Sequence, residues 1–322
     1  MVFHLPPSML AGAVAPFYQS LIDGILARGG VARVVPHLRE SVAGEVAADA
    51  GFHILDHGAV RHPRVLNTGV AYLYPFRNMD PWGIRATSSI WAKVFDPASI
   101  PVAEARAFAD RLRHRLVRAR QSRYEQAEVV VKIPQNCIAV FLQAEAHRGV
   151  GETCHLTLRE MVKALIARDD RRPIVIKPHP RDFSEATHRF LRQLARKDAR
   201  VMVTPANIHD ILSVASVVVT INSAVGIEAM LHGRPVVLCG KADFHHAAVT
   251  VFSPAGLSAG IAEAEARLWP HDGFLTWYFS RQCLQAGKPG LVDDFLVKIA
   301  ETGFDPAQLG LRAGADLTGG FS

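Results

Sequence analysis

Residues 217–240 read VVVTINSAVGIEAMLHGRPVVLCG. A valine run stops at Thr220, a helix-like segment begins at Asn222 or Ser223 and stops at Gly233, and an apolar strand follows. The first backbone N–H groups of a helix have no partner inside it, and the macrodipole adds partial positive charge there. Asn222 and Ser223 therefore form either an ordinary cap or a phosphate site, with Gly226 letting backbone come close. Glu228 lies one turn further in, among Val225, Gly226, Ile227, Ala229, Met230 and Leu231. A carboxylate in such surroundings must be paired, or its pKa rises. Vicinal ribose hydroxyls would pair it; so would Arg234 or a backbone N–H.

Upstream, IVIKPHPR places His179 between Pro178 and Pro180 at a strand end, with Lys177 and Arg181 beside it. Two prolines stiffen the backbone and constrain the direction of the ring. Such a His, flanked by two cations, can donate to a phosphate and steady a departing nucleotide. Asp56, in ILDHG, ends a strand nearer the N-terminus; it is either a turn residue or a carboxylate facing a cleft. His245 and His246 follow Asp243, but adjacent residues do not readily ligate one ion and no third ligand is suitably spaced, so no metal is expected.

These residues need a scaffold. From residue 137 onward, strand and helix alternate. Strands are expected over 137–143, 173–180, 199–205, 216–221 and 234–240, and helices over 157–168, 184–196 and 207–215 and after Ser223. Thr157, Ser184 and Asn207 are the expected caps. Valine-rich strands with short connections predict a parallel sheet covered on both faces, with ligands beyond the carboxyl ends of the strands. The first third is less regular. Residues 30–38 and 51–59 look like short strands. Residues 65–95, rich in aromatics, Gly and Pro, read as long loops with one strand over 70–73. Residues 273–285 read as an aromatic-rich helix.

The protein has 322 residues, 49% hydrophobic and 20% charged, enough for two globular domains. Four widely spaced cysteines argue for a reducing cytoplasm, and neither a signal peptide nor a membrane-spanning run is expected. The net charge of +6 suits an anionic partner. Much of it sits in the Arg-rich helix 106–126, whose Phe108, Leu112, Leu116 and Ala119 trace an apolar stripe. That helix is either a solvated face or a peripheral contact with anionic headgroups at the inner face of the membrane. Nucleic acid is not expected as a partner, because no aromatic-interleaved basic groove accompanies the charge.

IVIKPHPR followed about forty residues later by VVVTINSAVGIEAMLHGRPVVLCG, with FLQ at 141–143 upstream, resembles the nucleotide-binding half of GT-B glycosyltransferases. The nearest resemblance is to the capsule polysaccharide biosynthesis family that includes the β-Kdo transferases. It covers about residues 135–245 well and the first hundred loosely. It implies two Rossmann-type domains facing across a cleft: 1–127 on the acceptor side and 128–322 for the nucleotide-sugar. A late helix is expected to pack back on the first domain. It implies phosphate contact for His179, Asn222 and Ser223, and a sugar contact for Glu228. The substrates implied are a CMP-activated acidic sugar such as Kdo and a glycan or lipid-linked acceptor, with no metal and no other cofactor. The pattern of the β-Kdo transferases has Gln followed four residues later by a catalytic Asp. Here Gln143 is followed by AEAHR, so His147 stands at that position and Glu145 two residues before it. Glu145, His147 and Asp56 are thus the catalytic candidates, and Gln143, Lys177, His179, Pro180, Arg181, Asn222, Ser223 and Glu228 the substrate-binding ones.

The expected chemistry is sugar transfer from a nucleotide donor, with the leaving phosphate neutralised by helix N–H groups and His179 and a carboxylate serving as base or nucleophile. CDP-glycerol-type phosphotransfer and UDP-sugar 2-epimerisation are the enzymatic alternatives. A non-catalytic nucleotide- or glycan-binding partner of a capsule-assembly complex is the third, kept open by the absence of Asp at position 147.

Overall fold

A computed structural model describes residues 1–143 and 153–312. It divides into two compact units, one formed by residues 1–90 with 282–322 and the other by Trp91–Arg281. The sequence expectation drew its division at 127/128. The helix Val102–Leu112, continued as π-helix over Arg113–Arg118, instead belongs with the central unit. Its buried Ala105, Phe108, Ala109 and Leu112 explain why: that face packs on the helix His271–Thr276. Arg113 also reaches Asp272 with two nitrogens and donates to the Leu231 carbonyl.

The N-terminal unit holds strands β1 (Val2–Leu5), β2 (Arg33–Pro36), β3 (His53–Asp56), β4 (Val65–Val70) and β5 (Phe76–Asp80). β4, β3, β1 and β2 run parallel in that order. β5 and the short strand Leu284–Gln285 extend the sheet antiparallel beyond β4. The helices Pro16–Ala27 and Leu291–Ala300 contribute Tyr18, Leu21, Ile25, Phe295 and Ile299 to its core. Residues 65–95 are therefore not one long loop. The expected strand over 70–73 is instead the turn between β4 and β5, closed by a cis Tyr74–Pro75 bond. Pro75 marks this turn, but Val65–Val70 and Phe76–Asp80 are buried enough to pair across it.

The central unit is closer to its sequence. Strands β6 (Cys137–Phe141), β7 (Ile174–Lys177), β8 (Val201–Val203), β9 (Ala215–Thr220), β10 (Val236–Leu238) and β11 (Val249–Thr250) are all parallel. They lie in the order β11-β10-β9-β6-β7-β8. Counted from β6, this is the doubly wound order 6-5-4-1-2-3, whose direction reverses between β6 and β9. The helices start where their caps predicted. Thr157 and Glu160 form a reciprocal capping box, Ser184 Oγ accepts from the Thr187 N–H, and Asn207 accepts from that of His209. The core runs from Ile138 and Val140 through Met161, Leu165, Val217 and Val219 to Ile261. The aromatic segment is helical over His271–Thr276, continues as π-helix over Trp277–Gln282 and ends in Leu284–Gln285.

Candidate functional site

Where a doubly wound sheet reverses direction, two crossovers leave on opposite faces and a crevice opens beyond the strand ends. In the central unit that place lies beyond Phe141 of β6 and Thr220 of β9. A cavity of about 50 Å³ is found there, lined by Phe141, Leu142, Lys177, His179, Ser223 and Glu228 among others. The His179 ring and the start of the Ser223 segment thus share one crevice. A wider cavity of about 710 Å³ continues past His179 toward Asp182, His188 and Thr204.

His179 is oriented by its own turn. The Arg181 backbone N–H donates to Nδ1 at 3.1 Å, so the neutral ring carries its proton on Nε2. Its ring meets that of Tyr124 edge-on, 5.1 Å between centroids, and the Arg181 guanidinium lies 5.0 Å from the same Tyr124 ring. Pro180 is exposed at the rim. Lys177 is used differently from the sequence expectation. Its Nζ donates to the carbonyls of Pro205 at 2.8 Å and Ala206 at 2.6 Å, tying the end of β7 to the next loop. Two of its three N–H donors are spent in this way, and burial lowers its pKa.

Asn222 also turns to structure: its Nδ2 donates to Thr153 Oγ1 at 3.3 Å and to the Lys241 carbonyl at 3.2 Å. Ser223 Oγ accepts from the Val225 N–H at 3.3 Å, and the helix proper runs over Val225–Leu231. The space left by Gly226 is taken by protein. A Cβ there would stand 2.7 Å from the Phe244 ring, which is fully buried. Gly226→Ala should therefore cost about 1–3 kcal/mol through overpacking; equilibrium urea unfolding tests this, and a variant as stable as the parent would refute the packing role.

Glu228 is buried inside that helix, 2% exposed, and its Oε1 has no hydrogen-bond partner among the described residues. Arg234 does not reach it, being bonded to the carbonyls of Leu212 and Ser213. Burial pushes the carboxyl up to about 7, and a hydrogen bond from the Ser122 side chain only partly opposes this. Such a group costs the fold stability and has unused acceptor capacity facing a cavity.

Gln143, two residues past β6, is likewise buried with Oε1 unpartnered among the described residues, while its Nε2 lies 3.6 Å from Cys154 Sγ. Glu145 and His147 lie outside the described residues. Asp56 belongs to the N-terminal unit, where it is buried in a network with Tyr18, His57 and Arg77 rather than free in a turn. That network is a polar centre the sequence reading missed; the only signal was the Asp-His pair itself. His245 and His246 bond backbone carbonyls, at Ala242 and Lys93. Among the described residues no group of three His, Cys, Asp or Glu could hold a metal ion, and no helix is long and apolar enough to cross a membrane.

The comparisons with known proteins bear on this geometry. The family model for "Capsule polysaccharide biosynthesis protein" matches residues 103–258, which span the whole crevice. Among solved structures, KpsC of Thermosulfurimonas dismutans described as a beta Kdo 2,7 transferase is 14% identical. The match covers 94% of this protein and 99% of that one, with a TM-score of 0.55. The same organism's KpsC described as a beta Kdo 2,4 transferase is 16% identical over 85% of this protein and 88% of that one, with a TM-score of 0.51. No curated protein matches the sequence. At these identities the solved structures establish the fold, which is GT-B. Residues 103–258 of the protein are similar to the capsule polysaccharide biosynthesis family.

Proposed function

We propose that this protein is a glycosyltransferase that moves an acidic sugar, Kdo or a relative, from a CMP-linked donor to a glycan or lipid-linked acceptor in surface-polysaccharide assembly. The observation that carries the reading is Glu228: a buried carboxylate with an unpartnered oxygen, in one crevice with the His179 ring and the Ser223 segment. Ribose hydroxyls fit the first, and an anionic phosphate fits the Nε2–H of the second. The leaving phosphate then gains its negative charge beside fixed donors, which lowers the barrier without reorganisation. Gln143, two residues past β6, borders the same switch point, and the catalytic role on the donor side is assigned to Glu145 or His147, which follow it in the sequence.

The crevice is covered in this structure. Ser122 bonds Glu228 and Tyr124 packs on His179, and both line the cavity. A cavity of about 50 Å³ holds a water-sized group, not a nucleotide. Segment 122–126 therefore occupies the two partners that a donor would use, and donor binding must displace it. Assaying nucleotide release from CMP-, CDP- and UDP-linked donors tests the reading. CMP release supports Kdo-type transfer, CDP release supports glycerophosphotransfer, and nucleotide binding without turnover supports the non-catalytic partner.

Arg113 on the long helix and Arg120 just past its end are committed to Asp272 and Asp210. Arg106, Arg111 and Arg118 are exposed. These three are the basis for proposing contact with an anionic acceptor surface. Converting all three to Gln should reduce co-sedimentation with vesicles containing anionic lipid by about tenfold at low salt. Equal sedimentation of both proteins would remove the membrane from the proposal.

A further inference from the structure

The central unit has a further cavity at the other end of its sheet. It measures about 820 Å³ and borders Ser216, near the start of β9, and Pro235, which precedes β10. The strands are parallel, so this is their amino end, whereas the crevice with Glu228 lies beyond their carboxyl ends. The six residues of β9 separate the two by roughly 20 Å. The donor reading uses no residue of this lining.

One part of the lining is the face of helix Val102–Leu112 that carries Val102 and Arg106. Another is the turn over residues 267–270, which joins the helices Leu257–Ala266 and His271–Thr276. Leu268 on that turn is fully exposed, and Val102 is 78% exposed. Leu268 stands between Arg267 and Trp269, whose ring lies 5.0 Å from the Arg267 guanidinium. A bare leucine beside tryptophan and arginine suits a lipid–water boundary: the aliphatic tip enters the acyl layer while indole and guanidinium stay among the headgroups. The charge of the lining favours an anion. Its two carboxylates are paired inside the fold, Asp272 with Arg113 and Glu265 with Arg172. Arg106 is exposed and makes no ion pair among the described residues. Arg267 is paired with Glu263 at 3.0 Å, but both are exposed and water weakens the pair. His271 is buried in the same lining, and its Nε2 has no hydrogen-bond partner among the described residues. Burial pushes its pKa down to about 4, so the ring is neutral. It stacks parallel to Trp269 with centroids 6.2 Å apart. A buried polar atom without a partner is one that a ligand's polar group can satisfy.

We propose that this cavity docks the central unit on a membrane by taking the headgroup of an anionic phospholipid, with the phosphate on Arg106 and Arg267, the polar headgroup toward His271, and Leu268 in the acyl layer. The inference rests on the membrane contact proposed above for the exposed arginines and deepens it, replacing a diffuse attraction by a built site. Of those three arginines only Arg106 is part of it; Arg111 and Arg118 lie outside the lining. An acyl-bearing ligand fits better than a free anion. The apolar surface of Ile100, Val102, Leu268 and Trp269 offers a free phosphate nothing, whereas a lipid removes it from water.

The test is flotation of the full-length protein with vesicles of phosphatidylcholine, alone or mixed two to one with phosphatidylglycerol. The parent should bind the anionic vesicles about tenfold or more tightly than the neutral ones. Leu268→Asp and Arg106→Gln should each lower that affinity about fivefold, whereas Arg111→Gln combined with Arg118→Gln should lower it less than about twofold. Both single changes fall on exposed side chains, so the unfolding temperature should not move. Phosphatidylglycerol brominated in its acyl chains should quench tryptophan emission in the parent, and Trp269→Phe should abolish the quenching. Glycerol 3-phosphate, the soluble source of the same phosphate chemistry, should neither change the emission nor displace the vesicles. Equal binding by the parent and Leu268→Asp, or quenching that survives Trp269→Phe, would overturn this site and leave the contact through the long helix standing. Displacement of the vesicles by glycerol 3-phosphate would assign the cavity to a soluble anion and overturn the lipid. No vesicle binding by the parent would overturn both membrane readings. None of these measurements uses a sugar donor, so the transferase reading stands or falls separately on nucleotide release.

Discussion

Replacing His179 with alanine is expected to lower the rate of sugar transfer by about 100- to 1,000-fold, the usual loss on removing one fixed donor from a developing negative charge. The reasoning is geometric. The Arg181 N–H fixes the tautomer, the flanking prolines fix the backbone, and Nε2–H is the donor of the neutral ring. The change should fall on kcat more than on donor KM, because the phosphate carries more charge as it leaves than when it is bound. Stability should move by less than about 1 kcal/mol, since the ring is only half-buried. Steady-state kinetics with thermal unfolding measures both, and a variant that transfers normally would remove His179 from the mechanism.

Glu228→Gln is the second large effect, and it has opposite signs in stability and binding. The folded-state carboxyl titrates at about 7, against 4.5 for an ordinary glutamate. The folded protein thus holds an extra proton between those values, and stability falls as pH rises from about 4.5 through 7. Above that window the buried charge costs about 3 kcal/mol at most. Glutamine mimics the protonated form without the charge. The variant should therefore unfold several degrees higher than the parent at pH 8 and at nearly the same temperature at pH 4.5. Nucleotide affinity should fall about 10- to 100-fold, because a charged acceptor for the ribose hydroxyls is lost. Stability gained and binding lost together is the signature of a residue kept for a ligand. A variant that is less stable at pH 8 would show instead that Glu228 is fully paired by the fold.

From β6 to β10 the central unit was legible from sequence to within about three residues per element, because its strands are apolar runs bounded by caps and its helices are amphipathic; the Arg-rich helix expected over 106–126 runs instead over residues 102–118, and β11 and the helix Leu257–Ala266 were not anticipated. The expected strand over 216–221 is Ala215–Thr220, and the expected helix over 184–196 is Glu185–Lys197. Crevice residues at strand ends were legible for the same reason. Side-chain use was not. Lys177, Asn222 and Gly226 look like phosphate-site residues, yet they bond Pro205, Ala206, Thr153 and Lys241 or pack on Phe244, contacts set by tertiary neighbours up to 69 positions away. The N-terminal unit was harder to read. β1 is four residues long, and β4 and β5 meet across a proline turn that reads as loop. The partners of Asp56 come from residues 18, 57 and 77, so no local pattern announces them.

The most direct test of the central claim is a crystal structure of the full-length protein soaked with CMP. The account predicts the phosphate within hydrogen-bond distance of His179 Nε2 and the Ser223 segment, the ribose hydroxyls on Glu228, and residues 122–126 displaced from both. A nucleotide bound elsewhere, or none bound while Ser122 stays on Glu228 and Tyr124 on His179, would contradict it.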